Sequence, residues 1–377
     1  VSTAPILAFF SVQSADYAVR RDRFGPVQLE VYYQPNHGFN VDRMVQAMKR
    51  SLGYYDKAFG PYQFDYARII EFPGYQSFAQ AFAGTVPYSE KIGFIADTRD
   101  PDEIDYVTYV TAHELGHQYW AHQLISADQQ GGTMLVETMA QYSALMVMKQ
   151  LYGEDKIRRF LKYELDNYLG SRGGEAIEEL PLDRVENQPY IHYRKGSLVM
   201  YALQDYIGEA AVNDAIKEYR QQVAFQRAPY TNSVEFIGYL RKHTPDSLQY
   251  LVTDMFEKIT LYENKVDSAS YRKLHNGQYR VQFTVDTKKF YADSLGNETA
   301  SKTRDFIDVG IMGREKDKAG NWHDVPVLVQ KRRLQPGRNR IELTVPQKPE
   351  RVGIDPFNKL IDRNPDDNVK IPEEKKA

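Results

Sequence analysis

Two hydrophobic periodicities alternate along the first two thirds of the chain. Residues 27–33 alternate apolar and polar side chains, which predicts a strand within a β-rich start at residues 1–36. Residues 40–58 instead repeat apolar side chains at helical spacing, and Asn40 is a suitable N-cap. Similar patterns predict strands at 66–72 and 91–96. They predict helices at 100–123, 134–152, 155–169, 194–206, 208–224, 232–242 and 246–258.

The pattern changes near residue 261. Residues 279–285 alternate, and further β-like runs follow, with turn signals between them, at 306–312, 325–329 and 340–345. These runs predict an all-β sandwich. We therefore expect an α+β chain in three parts. They are a mixed domain at 1–262, a β-sandwich domain at 263–356 and a C-terminal tail at 357–377, whose charged end at 366–377 we expect to be loose.

Composition excludes several classes of partner and ligand. The 377 residues include 48 Lys and Arg against 51 Asp and Glu, so a net charge of −3 gives no electrostatic reason to expect a nucleic-acid partner. There is no Cys, so metal ligands must be sought among His and carboxylates. No apolar run reaches the roughly 18 residues of a membrane-spanning helix. The chain begins with Val1, so we expect a piece of a larger protein.

The run HELGH at residues 113–117 is the strongest chemical signal. His113 and His117 are four residues apart on a predicted helix, so their directions differ by about 40° and both imidazoles project from one face. Two nitrogens at this separation reach one tetrahedral metal, with Glu114 beside them to contact a water. This is the HExxH arrangement of zinc peptidases. We expect one Zn²⁺ per chain.

A catalytic zinc site normally has a third protein ligand. His122 lies on the same predicted helix, but it is rotated by about 140° from His117, which predicts a surface position or a place behind the ligands. Glu137 begins the next helix in apolar surroundings, where a carboxylate is costly to bury unless it is paired or metal-bound. We therefore expect Glu137 to be the third ligand. Gln141, one turn later, either orients that ligand or faces solvent.

These motifs resemble the aminopeptidase N and leukotriene hydrolase family of gluzincin metallopeptidases. The likeness includes HELGHQYW at 113–120, a glutamate on the next helix, and YRKG at 193–196, which is similar to the family's YxKG segment. The resemblance implies three zinc ligands, a general base and an oxyanion donor. In this chain the implied ligands are His113, His117 and Glu137, the implied base is Glu114 and the implied donor is Tyr193. It also implies a thermolysin-like catalytic domain, with a small mixed sheet and a helical bundle, followed by the β-sandwich.

Residues 112–153 and 179–200 further resemble a branch that fuses an ABC-type permease to an extracytoplasmic aminopeptidase-like domain. This likeness implies a peptide substrate, a permease part in a larger bacterial inner-membrane protein, and a periplasmic location for this domain. It carries no indication of oligomeric state. The family's GxMEN segment, which binds the substrate amino terminus, is replaced by residues 84–91. Glu90 there either binds an α-amine or is a surface carboxylate.

Two functions are therefore expected from the sequence. The first is a zinc-dependent, aminopeptidase-like metallopeptidase. The alternative is an extracytoplasmic peptide-binding module of an ABC transporter, with a zinc site that is vestigial or structural. Hydrolysis of peptides by the purified protein distinguishes the two.

Overall fold

The structure, a computed structural model, describes residues 6–100, 103–316, 320 and 322–375. Internal contacts divide the chain into two units. One comprises residues 1–153 and 180–257, and the other comprises residues 154–179 and 258–377. The first unit contains a mixed sheet and most of the helices, and the second is rich in strands. The expected α+β class is confirmed, whereas the domain boundaries at 262 and 356 stay a prediction.

The sheet of the first unit has four strands. In order across the sheet they are β1 (Ala18–Phe24), β2 (Val27–Tyr33), β3 (Tyr66–Phe72) and β4 (Thr85–Ser89). The β1–β2 pair is antiparallel, while β2–β3 and β3–β4 are parallel, so the sheet is mixed as predicted. Residues 78–82, here called the edge segment, run antiparallel beside β4 through bridges from Ala79 to Tyr88 and from Phe82 to Thr85.

Most of the predicted helices are present. They are α1 (Val41–Ala58), α2 (Tyr106–Gly116), α3 (Met139–Tyr152), α4 (Glu154–Arg172), α5 (Gly196–Ile207), α6 (Glu209–Val223), α7 (Ser233–Lys242) and α8 (Gln249–Val252). Three π-helical segments precede α3, precede α5 and follow α8, at Met134–Thr138, Tyr190–Lys195 and Thr253–Glu257. Short 3₁₀ turns lie at Gly38–Asn40, Leu182–Arg184, Asp246–Leu248 and Pro365–Asn368. No helix in the described ranges is both long and apolar enough to cross a membrane.

Helix α2 is shorter than predicted at both ends. It begins at Tyr106 because the Asp105 side chain accepts a hydrogen bond from the Thr108 amide at 3.2 Å. Pro101 and Asp102, which the sequence places in its first turn, lie outside the described residues. After Gly116 the chain forms turns rather than helix up to residue 123, and Ala121 has a φ of 156°, outside the helical range. The HELGH run therefore ends α2 instead of occupying its middle.

The loop at 91–96 is not the strand that its sequence predicts. Asn40 makes no side-chain cap for α1. Its Nδ2 instead donates to the carbonyls of Gly93 and Ala96 at 2.8 and 2.9 Å. Those carbonyls are therefore held by a side chain rather than by a neighbouring strand. Both the cap and the strand predicted from this part of the sequence are wrong.

The second unit contains α4 and two sheets. Its strands are β5 (Ile259–Lys273), β6 (Tyr279–Ala292), β7 (Glu298–Ala300), β8 (Asp305–Lys316), β9 (Trp322–Leu334), β10 (Gly337–Val345), β11 (Arg351–Ile354), β12 (Val369–Lys370) and β13 (Glu373–Glu374). One sheet has the order β10-β6-β5-β13, with β7 beside β6, and the other has the order β12-β11-β8-β9. The sequence correctly predicted a β-rich part here.

Two features of this unit differ from the sequence prediction. The C-terminal region is not loose as far as it is described, because β12 pairs with β11, β13 pairs with β5, and the Asn264 amide donates to Asp362 at 2.9 Å. Residues 376–377 lie outside the described part. The second difference is α4, which the sequence assigned to the first domain. The segment after it joins this unit, since the Glu179 amide donates to the Ser294 carbonyl at 3.0 Å.

Candidate metal centre

The last turn of α2 brings the two motif histidines together. His113 and His117 are both at least nine-tenths buried, and their Nε2 atoms face each other at 3.0 Å. The His117 Nδ1 donates to the Trp120 carbonyl at 3.2 Å, in the turn where α2 ends. This bond places the ring proton on Nδ1, so the Nε2 lone pair faces His113. The early end of α2 thus supplies the acceptor that fixes the His117 tautomer.

Glu137 completes a group of three, as expected from the sequence. It lies on the π-helical segment Met134–Thr138, a geometry that adds a residue to a turn and is often found at functional sites. Its Oε2 is 3.4 Å from the His113 Nε2 and 3.2 Å from the His117 Nε2. Burial raises the pKa of the Glu137 carboxyl, but the two histidines outweigh burial and hold this pKa well below its usual range.

The three facing atoms fit a zinc ion. Tetrahedral bonds of about 2.0–2.1 Å place ligand atoms about 3.3–3.4 Å apart. The three observed separations are 3.0, 3.2 and 3.4 Å. Glu137 Oε2 is buried and makes no hydrogen bond within the described residues. Three lone-pair atoms repel one another unless a cation or a proton lies between them, so two imidazoles and a carboxylate in this arrangement suit Zn²⁺.

Glu114 lies beside the two histidines, and its two oxygens have different surroundings. Only 6% of the residue is exposed, and its carboxylate accepts a hydrogen bond from the Ala81 amide of the edge segment. Its Oε2 is buried, and no described residue gives it a hydrogen bond. Burial raises the pKa of Glu114, although the charges of His113 and His117 and the Ala81 amide oppose the increase. A basic oxygen is therefore available beside the candidate metal ligands.

Tyr193 approaches the same group from the π-helical segment Tyr190–Lys195. Its ring centroid lies 5.7 Å from that of His113, and its hydroxyl hydrogen-bonds to Glu137. Burial, and then the charge of Glu137, raises the pKa of Tyr193, so the phenol keeps its proton and acts as a donor. The structure thus brings together five of the six site residues predicted from sequence.

Gly196 allows the segment carrying Tyr193 to contact the segment carrying Glu137. A Cβ at Gly196 would lie 2.2 Å from the Thr138 Oγ1 and 2.7 Å from the Thr138 Cγ2. The same Oγ1 donates to the His192 carbonyl at 2.6 Å. The glycine of the YRKG run is therefore required for close packing, and its helical φ of −57° imposes no conformational need for glycine.

Comparison with known proteins agrees with this geometry. Residues 43–256 match the peptidase family M1 domain. The chain belongs to peptidase family M1. The match covers α2, the π-helical segment with Glu137 and the segment with Tyr193.

Several aminopeptidases of the family are similar in sequence. Endoplasmic reticulum aminopeptidase 2 of Homo sapiens is 25% identical over 210 residues, which cover 54% of this chain and 22% of that protein. Probable aminopeptidase 2 of Sulfurisphaera tokodaii is 22% identical over 310 residues, or 77% of this chain and 39% of that protein. This M1 chain thus spans less than half of either relative.

A solved structure has a similar fold. Aminopeptidase A of Legionella pneumophila, in complex with aspartic acid, aligns with 96% of this chain and 38% of its own chain. The TM-score is 0.57 at 13% sequence identity, which supports a shared fold. The expected fusion to an ABC-type permease and the periplasmic location stay predictions for this M1 chain.

The sixth predicted residue, Glu90, makes different contacts. Its Oε1 accepts the Gly74 amide at 2.7 Å, and its Oε2 lies 3.8 Å from the His37 Nδ1. His37 also bonds to the buried Glu71, whose other oxygen accepts the Gln34 amide at 2.6 Å. His37, Glu71 and Glu90 form a second group with metal-ligand geometry. Glu71 and Glu90 already accept the backbone amides of Gln34 and Gly74, so the group joins the loops after β2, β3 and β4 through contacts within the protein.

Two further side chains are more buried than the sequence indicated. His122 is 5% exposed, and its Nε2 lies 3.2 Å from the Ala81 carbonyl of the edge segment, so it is buried rather than at the surface. Gln141 is 6% exposed and does not face solvent. Sequence reasoning missed the Ala81 amide and the Trp120 carbonyl, because a backbone group has no residue-type signal. It also left out Thr138, whose contact with Gly196 depends on the packing of two distant segments.

Proposed function

We propose that this M1 chain is a zinc-dependent metallopeptidase domain that hydrolyses peptide bonds. The observation that carries the proposal is the convergence of His113 Nε2, His117 Nε2 and Glu137 Oε2 within 3.0–3.4 Å of one another. These three atoms would hold one Zn²⁺. When bound, zinc supplies a Lewis acid that polarises the substrate carbonyl and lowers the pKa of water at the site to about 7.

Glu114 is the proposed general base. Its free Oε2 accepts a proton from the water as the water oxygen attacks the carbonyl carbon, and it later gives that proton to the amine nitrogen as the C–N bond breaks. The raised pKa of Glu114 supports this role, because proton transfer is most efficient when the pKa of the base is near the working pH. The Ala81 amide keeps the other oxygen in place.

Tyr193 is the proposed donor to the substrate oxygen. Its neutral hydroxyl, held next to Glu137 in this structure, stabilises negative charge that develops on the carbonyl oxygen. Removal of one such donor typically lowers the rate by about 10²–10³-fold. Its segment is kept against the Glu137 segment by the Thr138 bond to the His192 carbonyl at 2.6 Å.

The position of cleavage is a separate question. The similar proteins are named aminopeptidases, which supports action on peptide amino termini. A role for Glu90 in binding the α-amine has no support from its contacts with Gly74 and His37. We therefore propose peptide-bond hydrolysis and leave exopeptidase or endopeptidase action to the experiment.

The decisive experiment combines metal analysis with digestion of a peptide library. We expect about one zinc per chain and cleavage products that disappear with a chelator and return with added zinc. Glu114→Gln keeps the volume and the Ala81 contact, so it should retain zinc and lose hydrolysis by about 10²–10⁴-fold. Comparison of free with amino-terminally acetylated peptides reports whether an α-amine is required.

Two outcomes would contradict the proposal. Protein that takes up no zinc would refute the assigned ligands. Protein that holds zinc but cleaves nothing across the library would instead favour the peptide-binding module, an alternative that none of the described contacts favours over hydrolysis.

A further inference from the structure

Two buried side chains connect the edge segment to the turn that follows α2. Gln118 is fully buried; its Oε1 accepts the Gly84 amide at 2.8 Å, and its Nε2 donates to the Phe82 carbonyl at 2.9 Å. His122 lies four residues later, with its Nε2 at 3.2 Å from the Ala81 carbonyl. The segment that carries His113 and His117 thus continues directly into two residues, Gln118 and His122, that bind the edge segment. We call these two residues the clamp.

His122 acts in this clamp as a hydrogen-bond donor. Its Nδ1 is buried with no hydrogen-bond partner among the residues that the structure describes, whereas its Nε2 faces a carbonyl oxygen. The ring proton therefore lies on Nε2 and is donated to Ala81. Burial lowers the pKa of His122, which agrees with a neutral imidazole.

The residue held by His122 is the one that holds Glu114. The Ala81 amide donates to the Glu114 carboxylate, and the Ala81 carbonyl accepts from His122. These two groups belong to the peptide units on either side of one Cα. A hydrogen bond to the Ala81 carbonyl therefore restricts the backbone dihedrals that set the direction of the Ala81 amide. Since the other Glu114 oxygen has no hydrogen-bond partner in the described part of the chain, this amide is a contact that orients the carboxylate.

We propose that His122 is a positioning residue for Glu114, acting through the backbone of Ala81. Gln118 holds Phe82 and Gly84, in the turn that follows Ala81, and supports the arrangement. The inference rests on the proposed function, because it assigns His122 a part in the same hydrolysis. It does not depend on a change of His122 protonation, only on its Nε2 donor.

The test compares three variants. His122→Leu keeps much of the volume and removes the donor, His122→Gln keeps an N–H donor, and His275→Leu is the control in the exposed turn between β5 and β6. We expect His122→Leu to lower kcat by about tenfold and to leave KM and zinc content unchanged. The Glu114 carboxylate would lose its orientation, whereas the three proposed zinc ligands would stay in place. His122→Gln and the control should stay within about twofold of the parent protein.

A second readout does not require activity. Hydrogen–deuterium exchange of the metal-free protein, followed on peptides that contain Ala81, should be faster in His122→Leu and unchanged in His122→Gln. If His122→Leu does not fold, His122→Asn, whose amide is shorter by one carbon than that of Gln, should show the same losses.

The outcomes separate this inference from the proposed function. A parent protein without hydrolysis refutes the proposed function, and the exchange data then still test the contact. A parent protein that hydrolyses peptides, together with a His122→Leu variant of unchanged kcat and exchange, overturns the inference alone. A variant that loses only stability or substrate affinity overturns it as well, since a positioning residue for the base must act on kcat.

Discussion

Gly196→Ala tests the packing that brings Tyr193 to Glu137. The added methyl would lie 2.2 Å from the Thr138 Oγ1 and 2.7 Å from its Cγ2, so the Thr138 side chain or one of the two segments must move. Thr138 cannot rotate away without losing its bond to the buried His192 carbonyl at 2.6 Å. A structural change is therefore unavoidable at the contact that aligns the candidate site.

The expected destabilisation follows from three effects. Overpacking costs about 1–3 kcal/mol, and a buried Thr138 hydroxyl left without its acceptor costs about 1–3 kcal/mol. The higher helix propensity of alanine offsets about 1 kcal/mol of this destabilisation, because alanine is favoured over glycine in a helix. We expect the free energy of unfolding to fall by about 3 kcal/mol. We also expect kcat to fall, since separation of the two segments moves Tyr193 away from the metal ligands.

Urea denaturation of parent and variant measures this loss. Gly238→Ala is the matched control, because Gly238 lies inside α7 and an added Cβ there meets nothing within 4 Å. It should raise the free energy of unfolding by about 0.5–1 kcal/mol. In Thr138→Ala/Gly196→Ala, the loss should be smaller than the sum of the two single losses. A Gly196→Ala protein with the urea midpoint of the parent would refute the reasoning.

Two further predictions concern Tyr193 and His192. Tyr193→Phe should reduce kcat by about 10²–10³-fold and leave the zinc content unchanged. Steady-state kinetics together with metal analysis measures both quantities. A variant with the kcat of the parent protein would show that Tyr193 has no part in the mechanism. Burial lowers the pKa of His192 from 6.5 to about 4, so the unfolded chain binds more protons between these pH values. Stability should therefore fall as pH drops from 6.5 to 4, by about 3 kcal/mol in total at about 1.4 kcal/mol per pH unit. Urea unfolding of metal-free protein at several pH values should show this loss in the parent and not in His192→Gln, and equal pH dependence in both would contradict it.

Local sequence patterns were sufficient for much of the fold. The alternation at 27–33 and the apolar stripe at 40–58 correspond to β2 (Val27–Tyr33) and α1 (Val41–Ala58). Such patterns succeed because each element must bury one face, whatever it packs against. They failed at 91–96, where the side chain of Asn40, from a distant part of the chain, donates hydrogen bonds to backbone carbonyls. Similarly, α2 ended early at Gly116, where the chain forms the turn that supplies the Trp120 carbonyl.

The candidate site shows the same division. The four-residue spacing of His113 and His117 was enough to predict that both face one metal, because helix geometry relates neighbouring turns. Glu137 was predicted from its apolar surroundings and Tyr193 from resemblance to a family, and the structure brings both to the histidines. Glu90 is also an acid in a promising segment, but the structure pairs it with Gly74 and His37. Residue type alone did not distinguish these cases.

The sequence by itself determined the chemistry that is available: two histidines on one helical face, a base between them, and no thiol to compete for metal. Only the tertiary structure decided how that chemistry is held. The Ala81 amide on Glu114, the Trp120 carbonyl on His117 and the contact of Gly196 with Thr138 all depend on backbone groups or on close approach. The reason is physical, because every residue carries the same amide and carbonyl, and only the packing of distant segments determines which of them meet.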